Sequence, residues 1–192
     1  MTKGASSTAA SSSAAAAAST RRSSLAPVVP PQARLLVLGS MPGVASLQAQ
    51  RYYAHPRNLF WPMVERFLGI AATQPYEQRL AALQQHGVAL WDVLQHCERK
   101  GSLDGAIVRA SEVPNAIPNL IATQPALRAI VLNGQRAATS FRRHLQAECL
   151  QLRPALHIHA LPSTSPANQS IPLQDRQQAW SVLSDYAGTP TP

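Results

Sequence analysis

The sequence predicts an α/β fold: a three-layer α/β/α domain around a central, mainly parallel four-stranded sheet. Three observations carry this. Short, almost wholly apolar runs recur along the chain. Each runs directly into a loop rich in Gly, Pro, Ser or Asn. Segments with helical spacing lie between them. Strands that alternate with helices pair in parallel, with helices covering both faces.

The first run is Arg34-Leu35-Leu36-Val37-Leu38, which enters the loop Gly39-Ser40-Met41-Pro42-Gly43. A polar stretch then leads to Asn58. From Leu59 to Gly69 the spacing is helical, with Pro62 in the first turn, Asn58 placed to cap it and Gly69 placed to end it. A second helix is expected over about 75–86. Val88-Ala89-Leu90-Trp91 reads as the second strand, with Asp92 just past it. Residues 93–125 look irregular, with short helical pieces broken by Pro114 and Pro118. Arg128-Ala129-Ile130-Val131-Leu132 is the third strand, followed by Asn133-Gly134 and a helix over 135–147. Ala155 to Leu161 alternates as the fourth strand and enters Pro162-Ser163-Thr164-Ser165-Pro166-Ala167-Asn168. A last helix spans Pro172 to Tyr186.

Residues 1–32 are Ser, Ala, Thr and Pro with few large apolar side chains, so a disordered tail is expected there. A folded domain is expected over 33–187 and a flexible end over 188–192. The alanine run in the tail is too short to span a bilayer and lacks a secretory apolar core. These features fit a cytoplasmic protein, or an organellar one if the acid-poor tail is a transit peptide. Cys97 and Cys149 read as small core residues. His157 and His159 share a strand face, yet no third ligand cluster accompanies them, so neither a metal site nor any other cofactor is expected.

The chain carries a formal charge of +8, and its few acids are unevenly placed. None precedes Glu65, and none falls between Glu148 and Asp175. These two acid-free windows hold the loops 39–58 and 162–168. A surface that meets phosphates excludes carboxylates in this way. In open parallel sheets the ligand site lies outside the carboxyl ends of the strands. The loop segments 39–58, 92, 133–134 and 162–168 all follow strands, so the topology gathers them on one edge. A serine hydrolase is disfavoured, because no Ser sits in a G-x-S-x-G elbow. A P-loop is disfavoured, because Gly39–Gly43 lacks the Gly-Lys pair.

Gly39-Ser40-Met41-Pro42-Gly43, Tyr52-Tyr53-Ala54-His55-Pro56-Arg57-Asn58-Leu59-Phe60-Trp61 and Leu161–Asn168 together resemble the uracil-DNA glycosylase superfamily. Within it the sequence is most similar to the hypoxanthine-DNA (deoxyinosine) glycosylase branch. The mismatch-specific uracil glycosylases share the A-H-P-x-N-x-F-W signature but carry an Asn in the first loop, where this chain has Ser40-Met41. The resemblance covers about 34–187. It implies a glycosylase that flips a deaminated base out of double-stranded DNA; the single core lysine, Lys100, lies in none of these motifs, so a monofunctional enzyme with water as nucleophile is expected, and a monomer.

Such an enzyme needs a stacking platform for the extruded base. The resemblance assigns this to Tyr53, with Tyr52 packing the other way. Asn58 is the expected water-positioning residue, and it could equally serve as a helix cap. The resemblance also gives Asn133 the base edge, which a carboxamide can answer on both its donor and acceptor sides. The loop Gly39–Gly43 and His55 are expected at the substrate, with His55 more a shaper of the loop than a ligand. Arg57, Ser163, Thr164, Ser165 and Asn168 are expected on the DNA. Asp92 is a secondary candidate, as base or as a counter-charge for a cationic sugar. A uracil or mismatch-specific glycosylase and a non-catalytic binder of damaged DNA remain as alternatives.

Overall fold

The computed structural model describes residues 21–188. Seven strands occur among them: β1 (Arg21–Ser23), β2 (Leu35–Gly39), β3 (Val88–Asp92), β4 (Leu94–Glu98), β5 (Val113–Pro114), β6 (Ala129–Asn133) and β7 (His157–Leu161). The central sheet has the order β3-β2-β6-β7, and every pairing in it is parallel. This is the predicted four-stranded sheet.

Period-two alternation splits each buried strand between two cores. Leu36, Leu38, Ala89, Ile130 and Leu132 pack with Ile117, Ile121, Phe141 and Cys149 on one face. Leu35, Val37, Val88, Leu90, Ala129 and Val131 pack with Phe60, Met63, Leu83 and Trp180 on the other. Strands buried on both faces read as continuous apolar runs, and so the sequence announced them. Helices Phe60–Leu68 and Tyr76–Gln85 lie where spacing placed them. The long helix expected over 135–147 ends at His144, and a separate helix follows at Gln146–Leu152. The last helix is likewise divided, into Leu173–Trp180 and Val182–Tyr186. Cys97 and Cys149 are buried free thiols. No helix of the described residues is long and apolar enough to cross a membrane.

Three expectations need correction. Residues 21–32 are ordered, while residues 1–20 and 189–192 lie outside the described residues. Arg21–Ser23 pairs antiparallel with β4, and Val28 bridges Leu90 at the outer edge of β3. Leu25 is 8% exposed, and Tyr52 donates its hydroxyl to the Ala26 carbonyl at 3.0 Å. Low apolar content suggested disorder, but the sheet edge supplies backbone partners that composition cannot reveal. Residues 93–125 supply β4 and β5 to a second, antiparallel sheet, β1-β4-β5, whose strands are too short and too polar to stand out. The stretch after Gly43 opens with a short helix, Val44–Ala49. At the other end, Gly188 is tied to His86 through its N–H and its carbonyl.

The ordering of residues 21–32 is open to a direct check. Leu25→Ala is expected to lower the unfolding free energy by about 2–3 kcal/mol in urea melts. A loss below about 0.5 kcal/mol, the size of an ordinary surface effect, would mean that the segment does not pack.

Candidate active site

Parallel register ends all four central strands in one row. Gly39 pairs with Asp92, Leu38 with Leu132, and Asn133 with Leu161. Asp92, Gly39, Asn133 and Leu161 therefore stand side by side at the carboxyl edge. By alternation Asp92 and Asn133 share the face on which Val37, Leu90 and Val131 pack. Above this row opens a cleft of about 1060 Å³. Its walls include Gly39, Ser40, Met41, Pro42, Gly43, Tyr53, His55, Asn58, Asp92, Asn133, Ser163, Thr164, Ser165 and Asn168. Arg57 is exposed and does not line it.

The cleft floor is built around Gly39. A Cβ added there would lie 2.6 Å from Asp92 Oδ1 and 3.7 Å from the Tyr53 hydroxyl oxygen. The missing side chain is what lets these two groups converge. Asp92 is 3% exposed, and its Oδ2 has no hydrogen-bond partner among the described residues; nor does the Tyr53 hydroxyl. Burial pushes the Asp92 carboxyl up to about 8, with a smaller upward push from Asp104 and a partial offset from Arg99. The raised value favours the protonated form, which can donate a hydrogen bond, and brings the carboxyl into the range where it can exchange a proton near neutral pH.

Tyr53 has φ +55°, a costly conformation for an aromatic residue. Its surroundings over-determine it. Tyr52 N–H donates to the Tyr76 hydroxyl at 2.8 Å, Trp61 Nε1 donates to the Tyr52 carbonyl at 3.3 Å, and Ala54 N–H donates to Ser46 Oγ at 3.2 Å. The Tyr53 ring stacks on Phe60 at 4.0 Å with 25° between planes. Tyr52 is 4% exposed and packs inward, opposite in role to its neighbour.

Asn58 Oδ1 accepts the Phe60 N–H at 2.9 Å, a turn that meets the first N–H of the helix from one residue before its N-cap, Leu59. A carboxamide oxygen has a second lone pair, and this turn therefore fixes the rotamer without consuming the acceptor. His55 shapes the same turn: its Nδ1 accepts the Arg57 N–H and its carbonyl accepts the Asn58 N–H.

Asn133 is more committed than expected. Its Nδ2 donates to Thr164 Oγ1 and its Oδ1 accepts the Thr164 N–H, both at 2.9 Å. One N–H and one lone pair remain. Thr164 is 1% exposed, so the expectation that it meets DNA is corrected: it is the anchor of the 162–168 loop. Ser163, Ser165 and Asn168 brace that loop through Ser165 N–H to Ser163 Oγ, Ala167 N–H to Ser165 Oγ, and Asn168 Nδ2 to the Ser163 carbonyl. Gly134 is required beneath it, with φ +101° and a Cβ position only 2.8 Å from Ser163 Cβ.

Sequence reasoning missed Arg99 and Asp104. Arg99 is 1% exposed and donates to the Met41 carbonyl at 3.2 Å and to the Pro42 carbonyl. Ser40 Oγ donates to Asp104 Oδ1 at 2.6 Å. Together they hold the first loop from behind, while Met41 packs its side chain in the core. The available signal was Ser102-Leu103-Asp104 between Gly101 and Gly105, a turn with an acid in an acid-poor chain.

The profile of the Uracil DNA glycosylase superfamily matches residues 26–184, almost the whole described chain. The chain belongs to this superfamily. It is 31% identical over 157 residues to a protein of Methanosarcina acetivorans named hypoxanthine DNA glycosylase, covering 81% of this chain and 93% of that one. A protein of the same name from Methanosarcina barkeri is 30% identical over 155 residues, covering 80% and 92%. The fold matches, at TM-score 0.73 and 28% identity, a solution NMR structure from Methanosarcina acetivorans described as a candidate uracil DNA glycosylase. That match covers 86% of this chain and 98% of the other.

The Asp92 environment carries a pH signature. Its carboxyl is raised from the ordinary value of 3.8 to about 8, so folding favours the protonated acid. The stability from that preference is complete below the unfolded value and drains as pH rises through the interval to the folded value. Asp92→Asn removes the titration. Its melting temperature is expected to gain on wild type progressively from pH 4 to pH 8. A constant offset across that range would contradict the buried-acid assignment.

Proposed function

We propose that the protein is a monofunctional DNA glycosylase that extrudes a deaminated base, with hypoxanthine in deoxyinosine as the preferred substrate. What supports the hypoxanthine assignment is the first loop, which offers Ser40-Met41 where uracil enzymes of the resembled type carry an amide. The two relatives named hypoxanthine DNA glycosylase support it as well. The observation that carries the mechanism is Asn58: a cleft-lining carboxamide whose oxygen keeps a lone pair after accepting the Phe60 N–H.

In this reading the extruded base stacks on Tyr53, which Phe60 backs from behind. Asn58 Oδ1 accepts a hydrogen from a water and aims that water's lone pair at C1′ of the sugar. The C1′–N9 bond breaks, the water oxygen bonds to C1′, and the water's proton is released as the base leaves. An amide cannot take the proton outright, so Asn58 contributes orientation rather than basicity. Asp92 in its protonated form donates to an acceptor on the purine, and the remaining N–H and lone pair of Asn133 meet the base edge. Arg57 is free at the surface to approach the backbone phosphates. The lysine of the described residues, Lys100, is exposed and absent from the cleft lining, so among those residues no amine is placed to form a Schiff base, and the product in this reading is an abasic site.

A base panel of deoxyinosine, deoxyuridine and deoxyxanthosine duplexes tests the assignment, with Asn58→Ala in parallel. Wild type should release hypoxanthine preferentially. The variant should lose about 10²–10³ in excision rate while keeping most of its affinity. Preferential uracil release would reject the substrate. Joint collapse of binding and turnover would reject the role of Asn58. Borohydride present during the reaction on a deoxyinosine duplex is expected to trap no covalent protein–DNA adduct, and a trapped band on a denaturing gel would reject water as the nucleophile.

A further inference from the structure

The helix Tyr76–Gln85 leads directly into β3, so in this parallel sheet it descends from the carboxyl edge to the amino edge, and its first turn stands on the cleft side of the molecule. Tyr76 sits in that turn. Its hydroxyl accepts the N–H of Tyr52, the residue before the Tyr53 platform. Two guanidiniums lie against the Tyr76 ring. Arg51 is 5.2 Å from the ring centroid and Arg79 is 5.7 Å from it, while Arg79 also lies 4.3 Å over Trp61. Neither is paired with a carboxylate: every ion pair among the described residues runs to Glu112, and Glu77, next to Tyr76 in the chain, makes none. The Arg79 Nε is buried with no hydrogen-bond partner among the described residues, and Arg51 is exposed.

We propose that Arg51 and Arg79, seated on Tyr76, form an anchor for the sugar–phosphate backbone of the duplex, outside the cleft that takes the base. The inference rests on the DNA-binding part of the reading above and adds a site to it, since neither arginine lines the cleft. Two like charges gathered at one ring repel each other, which disfavours the free protein. Arg79 registers this: burial lowers its guanidinium from the ordinary value, Tyr76 offsets part of that, and Arg51 lowers it further. A phosphodiester placed at the pair relieves the repulsion. An aromatic face also holds a guanidinium in position without using its N–H donors, which stay available to an anion. Arg99 is the contrast, because its donors are spent on the carbonyls of Met41 and Pro42. The setting suits a polyanion: no acid precedes Glu65, and Arg57 is exposed on the same segment. Free phosphate offers the same oxygens, but the pair stands on the edge over which a duplex must lie for its base to reach Tyr53.

The test measures binding of wild type, Arg51→Lys, Arg51→Gln and Arg51→Glu to an undamaged and a deoxyinosine duplex by fluorescence anisotropy across a salt series. Arg51→Glu is expected to weaken both affinities roughly tenfold near physiological salt and to reduce the slope of log K against log salt by about one. Arg51→Gln should fall between, and Arg51→Lys, which keeps the charge, should bind close to wild type. Without DNA, the melting temperature of Arg51→Glu should match or exceed that of wild type, because the introduced carboxylate faces Arg79. An arginine that served only the fold would instead lose stability and affinity together. An unchanged slope in Arg51→Glu overturns the anchor, and so does a loss of affinity that tracks a lowered melting temperature. If inorganic phosphate at fixed ionic strength raises the wild-type melting temperature while the duplex slopes stay equal, the pair is a small-anion site and the backbone assignment is overturned. Deoxyinosine excision by wild type is scored separately: its absence rejects the glycosylase reading, while the salt slope still decides the anchor.

Discussion

The parallel register of the central sheet is the constraint on which everything else depends. Because β2, β3, β6 and β7 end in one row, Asp92, Gly39, Asn133 and Leu161 are neighbours across a single edge. Segments far apart in sequence emerge there side by side. Slipping one strand by one residue would turn its side chains to the opposite face and move Asp92 or Asn133 out of the cleft. The continuous apolar burial of the strands on both faces prevents that slip. Core packing and site geometry are in this sense the same specification.

A second layer of order is polar. Asn133 grips Thr164, Arg99 holds the carbonyls of Met41 and Pro42, and Ser40 meets Asp104. Each bond joins one loop to a strand or to another loop, so the loops inherit the rigidity of the sheet. Few of these groups face bulk water, and buried polar groups left unpaired are costly. Against that background the unpartnered Asp92 Oδ2 and Tyr53 hydroxyl stand out. They are buried polar atoms with no hydrogen-bond partner among the described residues, an arrangement that suits a ligand with matching polar atoms. The left-handed backbone at Tyr53 belongs to the same pattern, since local strain persists only where its surroundings impose it.

Much of the fold was legible in the chain. The runs at 35–38, 88–91 and 129–132 announced themselves because strands buried on both faces must be apolar throughout, while the edge strand 157–161 was read from its alternation. The second sheet was not legible, because Leu94–Glu98 and Val113–Pro114 alternate weakly and are short. The order of residues 21–32 escaped for a related reason: its main tie is backbone pairing to β4 and β3, to which side-chain composition is blind. At the cleft, Tyr53, Asn58, Asn133 and Asp92 could be nominated from motifs and strand ends. Arg99 and Asp104 could not, since each acts through a partner more than fifty residues away.

The sequence by itself determined the layer architecture and the edge at which the strand-end loops gather. Periodicity and strand-end loops are local properties of the chain. Tertiary structure alone decided which groups remain free for a ligand. It assigned Asn133 in part, and Thr164 wholly, to holding a loop, and it divided the Asn58 oxygen between the Phe60 N–H and the cleft. By burying Asp92, with only a partial offset from Arg99, it raised that carboxyl and favours its protonated form. Protonation state and hydrogen-bond commitment depend on distances between segments remote in sequence, and those distances exist only once the strands end in one row.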